Sequence, residues 1–379
     1  NEVWDFALFI GIFIALNPVT TFGTSDSILV LVAMVVALYL FVIRKDPIDT
    51  ILVWVVLYWC FVNLFSFLFL SEIGTSFSLK TFGGSILKIF IGYGFMKLCG
   101  IRFIIWYYRV VLLLAIISIP FFLVQLVQPS IFDSIPINFA HSIRAMDGHW
   151  NGIIFNYSTY HIEQNSGFAG EPGTFGYYVG LAMVFNLILN GGKINRNFII
   201  LALIGATTFS TTYYLTLALF GLFFLSTASW ATKIFYLVVC LLFGSAMYQL
   251  PFVGDKIDTY VSDTETMVQS ELVKSKRVNR MATVINHLND VAKFPIGYGT
   301  NEAGRTKNIY GYVIDGTNGI SQIALRWGIY GLIYFLIIYF RLFAKMTTGI
   351  RGATLFTIIV LMYISANPIE RDYFAMAMF

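Results

Sequence analysis

Residues 164–176 have the sequence QNSGFAGEPGTFG and interrupt a chain that is otherwise strongly apolar. A long apolar stretch begins directly after Glu171 and Pro172. Proline is well tolerated in the first turn of a helix, and a glutamate beside a helix N-terminus is favoured by the helix dipole. The run therefore predicts a helix that begins near Pro172 and carries a polar, glycine-rich segment at its N-terminal end.

Two interpretations of Glu171 follow from this run. Glu171 and Pro172 can be the capped start of a helix and nothing more. The four glycines of the run instead indicate a backbone that a ligand or another segment approaches closely. In the second interpretation, the Glu171 carboxylate is available as a base or as a hydrogen-bond acceptor for sugar hydroxyls.

The composition of the whole chain is that of a polytopic membrane protein. Of its 379 residues, 58% are hydrophobic and only 12% are charged, whereas about a quarter of an average soluble domain is charged. The apolar residues are spread along the sequence, which predicts an all-α fold with one transmembrane domain over residues 1–379. Juxtamembrane lysine and arginine explain the net charge of +4, so the charge does not indicate binding to nucleic acid.

The apolar stretches predict about eleven transmembrane helices, because a spanning helix needs about 20 mostly apolar residues. They cover residues 3–18, 26–43, 50–71, 81–99, 102–126, 173–190, 196–209, 211–228, 230–250, 318–345 and 351–367. Only residues 210–212 separate the seventh and eighth stretches. These two could therefore also form one kinked or re-entrant element.

The positions of the basic residues predict the orientation in the membrane, since lysine and arginine on short connections stay in the cytoplasm. With eleven spans, one side carries Arg44, Lys45, Lys97, Arg102, Lys193, Arg196, Lys233, Arg341, Lys345 and Arg351. The short connections of the other side carry only Lys80 and Arg371. This asymmetry predicts a cytoplasmic N-terminus and places two large loops, 127–172 and 251–317, on the outer side.

The second loop contains the strongest cationic cluster of the chain, formed by Lys274, Lys276, Arg277 and Arg280. A guanidinium matches a phosphate with two parallel hydrogen bonds, so the cluster suits a diphosphate headgroup. The alternative is a basic face that binds ordinary anionic lipid. Arg326, inside the tenth predicted helix, faces a polar cavity or a partner unless it snorkels to the interface.

An amphipathic helix is predicted directly after this cluster. Apolar residues recur at positions 278, 281, 285, 288 and 292, which is the period of a helix with one apolar stripe. We expect the helix to lie on the membrane surface or to cover the helix bundle. His287 would share a face with Arg280, although a lone histidine is more often structural than catalytic.

Three patterns in this part of the chain resemble motifs of the bacterial O-antigen polymerase and ligase superfamily. Residues 165–168, 171–173 and 175–176 resemble its R-N-S-G-F-x-x-E-P-G-x-F-G stretch. Arg280, with residues 295–299, resembles its R-x14-P-x-G-x-G pattern. Asn318, Gly328 and Gly331 resemble its H-N-x-x-L-x9-G-x-x-G pattern. The three patterns occur in the family's order and cover roughly residues 160–335.

The resemblance implies a polysaccharide polymerase with a GT-C-like fold in the bacterial inner membrane, whose active site and two large loops face the periplasm. Such an enzyme is a metal-independent glycosyltransferase of O-antigen and lipopolysaccharide biosynthesis, and no cofactor is expected. Its donor is a glycan on undecaprenyl diphosphate, and its acceptor is the terminal sugar of another lipid-linked repeat unit. The implied partners are these lipid-linked glycans, membrane lipids and, as a further candidate, a chain-length regulator.

The resemblance also suggests roles for single residues. The diphosphate clamp would consist of Arg280, Arg277 and Arg144. The base would be Glu171 as first choice, with His287 and Asp315 as the other candidates. Further substrate-binding candidates are Gln164, Asn165, Asn318 and Arg326.

Two positions depart from the family pattern. Gln164 stands where the family has arginine, which removes one expected diphosphate contact. Thr317 stands where ligase-type members have a histidine, which makes an O-antigen ligase a less favoured alternative. The alternative from another class is a flippase or transporter of lipid-linked oligosaccharides. The two long outer loops and the missing twofold sequence symmetry speak against a transporter.

Overall fold

The computed structural model describes most of the chain as a bundle of helices. The described residues are 2–15, 26–70, 78–133, 149–151, 154–158, 161–225, 280–306, 318–347 and 349–366, with the separate positions 229, 230, 234, 238 and 245. The helices are α1 (Glu2–Ala15), α2 (Asp26–Ala37), α3 (Thr50–Leu70), α4 (Leu79–Cys99), α5 (Arg102–Val127), α6 (Ser130–Asp133), α7 (Pro172–Leu189), α8 (Arg196–Ala206), α9 (Thr211–Leu225), α10 (Arg280–Lys293), α11 (Gly319–Met346) and α12 (Ile350–Ala366).

Two small elements complete the description. A π-helical turn, Leu38–Ile43, extends α2. Strands β1 (His149–Asn151) and β2 (Asn156–Ser158) form an antiparallel hairpin in which Trp150 pairs with Tyr157. The described part of the chain is thus mostly helical, as the composition predicts.

Five helices, α3, α4, α5, α7 and α11, are long and apolar enough to cross a membrane. The shorter apolar helices are Val30–Ile43, Arg196–Ala206, Thr211–Phe224 and Ile350–Ser365. The prediction of a membrane-embedded helical protein is therefore confirmed in the described residues. The starts and ends of these helices lie within a few residues of the predicted stretches.

Helix α7 lies at the centre of the bundle. It is apolar on all sides, which is typical of a helix that packs against neighbours all around. Within its membrane-length window 78% of the residues are buried, against 28–39% in the other four long helices. Tyr107 of α5 packs edge-on against Phe185, and Tyr363 of α12 packs against Tyr177. The 164–176 run consequently leads into the most buried of these five long helices.

Helices α8 and α9 form an antiparallel hairpin. Phe198 near the start of α8 contacts Phe220 and Phe224 late in α9, while the hydroxyl of Tyr214 donates to the carbonyl of Ala206. The helices have 11 and 15 residues, or about 16 and 22 Å at 1.5 Å per residue. Each is shorter than the ~30 Å hydrocarbon core. The predicted boundary at residues 210–212 is confirmed, and it excludes a single kinked helix, whereas the re-entrant alternative stays a prediction.

The bundle has two chemically different ends. One end, which we call the basic end, carries the connections 44–49, 100–101, 190–195 and 347–349. Its basic residues are Arg44, Lys45, Lys97, Arg102, Lys193, Arg196, Arg341, Lys345 and Arg351. The opposite end, which we call the site end, holds the 164–171 segment, the turn between α8 and α9, and residues 294–306.

Helix α11 is broken at Gly328, whose backbone has φ 72° and ψ 178°. A break frees carbonyl groups that would otherwise accept helical hydrogen bonds. The backbone N–H of Tyr298 donates to the carbonyl of Leu325 at 2.8 Å, and that of Gly299 donates to the carbonyl of Arg326 at 2.9 Å. Residues 295–299 therefore supply the hydrogen bonds that the broken helix lacks.

Two further bonds complete the junction at Gly328. The hydroxyl of Tyr58 on α3 donates to the carbonyl of Trp327 at 2.6 Å. In the other direction, the backbone N–H of Ile329 donates to the carbonyl of Pro295 at 2.9 Å. Since unbonded backbone groups are costly inside a membrane bundle, the break in α11 and residues 295–299 depend on each other.

We predict that Gly328→Ala lowers the free energy of unfolding by about 2 kcal/mol or more, because an L-residue in this backbone region costs about 1–3 kcal/mol. The added Cβ would also meet the backbone carbonyls of Pro295 and Ile296. Thermal unfolding of the purified protein in detergent measures the effect. Gly84→Ala in α4 is the control, since its added Cβ meets nothing within 4 Å. Equal melting temperatures for the two variants would contradict the role given to Gly328.

Candidate functional site

Asn165 anchors the 164–171 segment inside the bundle. Its side chain is buried, and its Nδ2 donates to the hydroxyls of Ser118 and Thr207, both at 3.0 Å. Its Oδ1 accepts the backbone N–H of Gly167 at 2.9 Å. Its own backbone N–H donates to the carbonyl of Thr207 at 2.9 Å. One amide thus joins α5, the turn after α8 and the segment itself.

These bonds place the segment deep in the bundle. Ser118 lies nine residues before the end of α5 at Val127, or about 14 Å along the helix axis at 1.5 Å per residue. Irregular backbone at such a depth is tolerated only where protein or a water-filled cavity surrounds it. Asn165 meets that requirement by bonding the backbone of the segment to its surroundings. Its predicted contact with substrate stays a prediction.

Two glycines of the run, Gly167 and Gly176, are closely approached by aromatic residues of the protein. Gly167 has φ +49°, and a Cβ there would lie 2.5 Å from the ring of Phe175. A Cβ on Gly176 would lie 3.3 Å from the Cβ of Tyr213 in α9. The glycines indicated a close approach by a ligand or by the protein itself. At these two positions, the structure shows packing by protein side chains.

Glu171 occupies the position before α7, and Pro172 is the first residue of the helix. The backbone carbonyl of Glu171 accepts the N–H of Phe175 at 3.0 Å, whereas its side chain makes no capping hydrogen bond. The predicted helix start is confirmed. The Glu171 side chain is partly exposed and does not cap the helix, and its predicted role as a base stays a prediction.

Gln164 lies in a turn that α5 holds in place. Its backbone N–H donates to the carbonyl of His161 at 3.0 Å. The amide Nε2 of the buried Gln125 donates to the carbonyls of His161, Ile162 and Gln164 at 3.1, 2.6 and 3.1 Å. The Gln164 side chain is half-buried, one residue before the anchor Asn165. A single glutamine on α5 therefore fixes the start of the run.

Helix α10 packs against α11 with a polar face. The predicted helix is confirmed over Arg280–Lys293. The side chains that it buries include Thr283, Asn286, His287 and Asp290. Ile285 and Leu288, two residues of the predicted apolar stripe, are 40% and 53% exposed. The stripe therefore faces outward, and polar groups face the bundle.

His287 and Asn318 belong to one hydrogen-bond chain. The Nδ1 of the buried His287 lies 2.9 Å from the hydroxyl oxygen of Ser321 on α11. The Ser321 hydroxyl donates to the backbone carbonyl of Asn318 at 3.1 Å, and the Asn318 side chain accepts the Ser321 backbone N–H at 2.9 Å. Two residues singled out by the sequence thus meet through Ser321 at the N-terminus of α11.

The hydrogen-bond roles of His287 and Ser321 depend on the tautomer of the ring. A hydroxyl has one hydrogen to donate. When Ser321 donates it to Asn318, the Ser321 oxygen accepts from Nδ1–H of His287, and a neutral ring then carries its lone pair on Nε2.

Asp290 links α10 to the chain that follows it. Its Oδ1 accepts the Thr306 hydroxyl at 2.6 Å, and both carboxylate oxygens lie 3.1–3.2 Å from the Thr306 backbone N. The Tyr298 hydroxyl donates to the Asp290 carbonyl at 3.3 Å. Burial, with a smaller effect of the nearby Asp290 charge, raises the pKa of Tyr298 to about 12. Tyr298 therefore stays protonated throughout the physiological range.

The other predicted site residues are distributed as follows. Arg326 is half-buried, two residues before the break in α11. Arg280 is the first residue of α10, and its side chain lies outside what the structure describes. Arg144, Arg277 and Asp315 are all outside the described residues. The structure therefore brings Gln164, Asn165 and Glu171 into one cluster, and His287 and Asn318 into a second.

Several polar residues that hold these clusters together were not predicted from the sequence, among them Ser118, Gln125, Asp290 and Ser321. Two of them had a detectable signal. Asp290 follows His287 by three residues and so shares its helix face, and Ser321 follows Asn318 by three, the spacing of a helix cap. Ser118 and Gln125 had none, because their partners lie more than 35 residues away along the chain.

The comparisons with known proteins add no assignment. No protein-family model matches the chain, and no curated protein matches it. Within the described ranges, no group of three or more histidine, cysteine, aspartate or glutamate residues could hold a metal ion. The candidate site consequently rests on its own residues.

We predict that Asn165→Ala lowers the free energy of unfolding by about 2–4 kcal/mol, because it breaks three buried side-chain hydrogen bonds and leaves their partners unsatisfied. Chemical or thermal unfolding in detergent measures this loss. Asn289→Ala, an exposed asparagine on α10, is the control and should change stability by less than about 0.5 kcal/mol. A similar small effect at Asn165 would refute its anchoring role.

Two variants of His287 separate the contribution of its hydrogen bond to stability from the contribution of its packed ring. His287→Ala removes the hydrogen-bond partner of Ser321 and leaves a cavity, so we expect the free energy of unfolding to fall by about 2–3 kcal/mol. The amide of His287→Gln can still form a hydrogen bond with Ser321, so this variant should lose about half as much. Melting temperatures of the two variants test this order. Equal losses would show that the bond to Ser321 contributes nothing measurable.

Proposed function

We propose that the protein is a polysaccharide polymerase that transfers a glycan from a lipid diphosphate to the terminal sugar of a second lipid-linked repeat unit. The observation that carries the proposal is that both polar clusters lie at one end of the bundle, opposite the basic end. They share a core, since Ile323 of α11 packs in the same hydrophobic cluster as Phe168 and Tyr178 beside the 164–171 segment.

The proposed reaction is a displacement at the anomeric carbon. The acceptor hydroxyl oxygen forms a bond to this carbon while the bond to the diphosphate oxygen breaks. The hydroxyl proton goes to a base of the protein, and the lipid diphosphate leaves with the electron pair of the broken bond. Fixed positive charge near the diphosphate stabilises the charge that develops on it.

The geometry favours Glu171 as the base. Its carboxylate is partly exposed at the N-terminus of α7 and does not cap that helix. His287 is buried and bonded to Ser321. We therefore propose that His287 positions the start of α11, including Asn318, and that Glu171 takes the proton. Asp315 remains the other candidate base.

The diphosphate clamp is proposed from the sequence. Arg280 begins α10, the helix that packs its polar face on α11. We propose that Arg280, Arg277 and Arg144 bind the diphosphate, while Gln164 and Arg326 contact the glycan or its leaving group. Clustered guanidinium groups can neutralise the leaving group, so the proposed reaction is metal-independent.

The complete topology is likewise proposed. Without α6 and α10, ten described helices remain, and the separate helical positions 230, 234, 238 and 245 fit an eleventh membrane element. We propose a GT-C-like arrangement in the bacterial inner membrane, with the site end and the loops 127–172 and 251–317 in the periplasm. The proposed partners are undecaprenyl-diphosphate-linked glycans, membrane lipids and a chain-length regulator.

The test uses purified protein in vesicles with matched lipid-linked repeat units, and it follows the length of the product. We predict longer chains for the wild-type protein or for Gln164→Arg, which restores the arginine of the family pattern. Glu171→Gln should reduce the rate about 10²–10⁴-fold, as expected for loss of a general base. Arg280→Ala should reduce it about 10²–10³-fold, since it removes charge stabilisation of the leaving group.

Arg351→Ala is the matched control for Arg280→Ala, because Arg351 is an exposed arginine at the basic end; it should keep the wild-type rate. The proposal would be overturned if neither the wild-type protein nor Gln164→Arg makes a longer product, or if Arg280→Ala keeps full activity. A change in the sidedness of labelled lipid-linked units without a change in length would indicate a flippase.

A further inference from the structure

A second candidate binding region lies away from the site just described, between α3, α4 and α11. It is a groove of about 1090 Å³ with mostly apolar walls. One face of α11 lines it, with residues at positions 323, 327, 330, 334, 338, 341 and 345, a spacing of three or four that keeps them on one side of the helix. Trp54 and Tyr330 are each 67% exposed along it, so the groove is open to the surroundings of the bundle.

The groove becomes charged where it reaches the basic end. Asp49, Lys97, Arg341 and Lys345 line it there. Asp49 is already paired, since its carboxylate lies 2.7 Å from the Lys97 ammonium and accepts the Tyr93 hydroxyl at 2.9 Å. The bond from Lys97, with that from Tyr93, holds the pKa of Asp49 below its usual range. The positive charge of Lys97 is therefore balanced by the Asp49 carboxylate at neutral pH.

Arg341 and Lys345 have no such neutralising partner. They lie four residues apart on α11, both exposed, and neither forms an ion pair with a carboxylate among the described residues. An arginine beside a lysine offers a phosphate both a planar fork of donors and a second point charge. Two uncompensated cations thus stand at the end of an apolar groove.

The dimensions of the groove match a lipid of one leaflet. Arg341 and Trp327 are 14 residues apart on α11, or about 21 Å at 1.5 Å per residue. One leaflet, with its headgroup region, contributes about half of the ~40–45 Å bilayer thickness. A phosphate at Arg341 can therefore be accompanied by an acyl chain along α11 as far as Trp327.

We propose that this groove binds an anionic phospholipid, with the headgroup phosphate at Arg341 and Lys345 and an acyl chain along α11 towards Trp327. Charge complementarity selects an anionic headgroup over a zwitterionic one. The basic residues predict that this end faces the cytoplasm, whose membrane leaflet is rich in anionic lipid. This binding is independent of the proposed polymerase activity.

The site also touches the break in α11. Trp327 lines the groove and packs in a tilted arrangement against Trp59, with ring centroids 4.4 Å apart. Its backbone carbonyl accepts the hydroxyl of Tyr58, a second lining residue. A bound acyl chain would therefore contact the residue that immediately precedes Gly328. Bound lipid should accordingly raise the melting temperature of the protein, in addition to being detected directly in a binding measurement.

The test measures binding of dioleoyl-phosphatidylglycerol and dioleoyl-phosphatidylcholine to delipidated protein in neutral detergent, by native mass spectrometry. We expect the wild type to prefer the anionic lipid, and Arg341→Gln with Lys345→Gln to weaken its binding about 30-fold, the effect of two cations near an anionic headgroup. The matched control is Lys193→Gln with Arg196→Gln, two exposed cations of the basic end outside the groove. This control should keep the wild-type preference.

A second pair of variants tests the apolar part. Ile338→Trp fills the groove and should weaken lipid binding at least 10-fold, whereas Ile337→Trp, on the adjacent exposed position outside the groove, should not. Melting temperatures without lipid verify that each variant is folded. If the cation variant does not fold, the comparison of Ile338→Trp with Ile337→Trp tests the proposal in its place. Unchanged preference in the cation variant, equal binding of both lipids, or displacement of the lipid by inorganic phosphate alone would overturn the proposal.

Discussion

Backbone groups buried in a membrane bundle must find hydrogen-bond partners within the protein, because no water is there to replace them. Helices meet this constraint by themselves, and irregular segments do not. The 164–171 segment meets it through Asn165, whose amide bonds to Ser118, Thr207 and Gly167. The break of α11 at Gly328 meets it through residues 295–299. Both solutions hold non-helical backbone at the site end, where polar side chains can then be presented.

The same constraint couples parts of the chain that are distant in sequence. Residues 295–299 provide hydrogen bonds to the free backbone groups at the break of α11. These bonds in turn hold the residues beside the end of α3, where the Ser66 hydroxyl donates to the carbonyl of Tyr298 at 2.9 Å. Helix α10 directly precedes this junction, so its buried polar face is fixed over the N-terminus of α11. The chain from His287 through Ser321 to Asn318 is a consequence of that placement. A break in one helix thereby organises the second polar cluster.

The two ends of the bundle offer different chemistry. Hydrogen-bonding groups and a partly exposed carboxylate characterise the site end, which suits sugar hydroxyls and a reaction that moves a proton. Two cations without a carboxylate partner among the described residues, at the end of an apolar groove, characterise the basic end, which suits the headgroup and chain of a lipid. The proposed polymerase activity draws on the first end, and the proposed lipid site draws on the second. Helix α11 contributes to both, with Gly328 between them.

Length and hydropathy determined much of this protein from sequence alone: the membrane class, the positions of the described helices, the helix start at Pro172 and the concentration of basic residues at one end. These features depend on neighbours in sequence. Only the tertiary structure decided that Asn165 is an anchor, that Gly167 and Gly176 pack against Phe175 and Tyr213, and that the apolar stripe of α10 faces outward. The reason is physical: Ser118, Thr207 and Ser321 become partners through packing across the bundle, and no local pattern records which buried polar group will meet which.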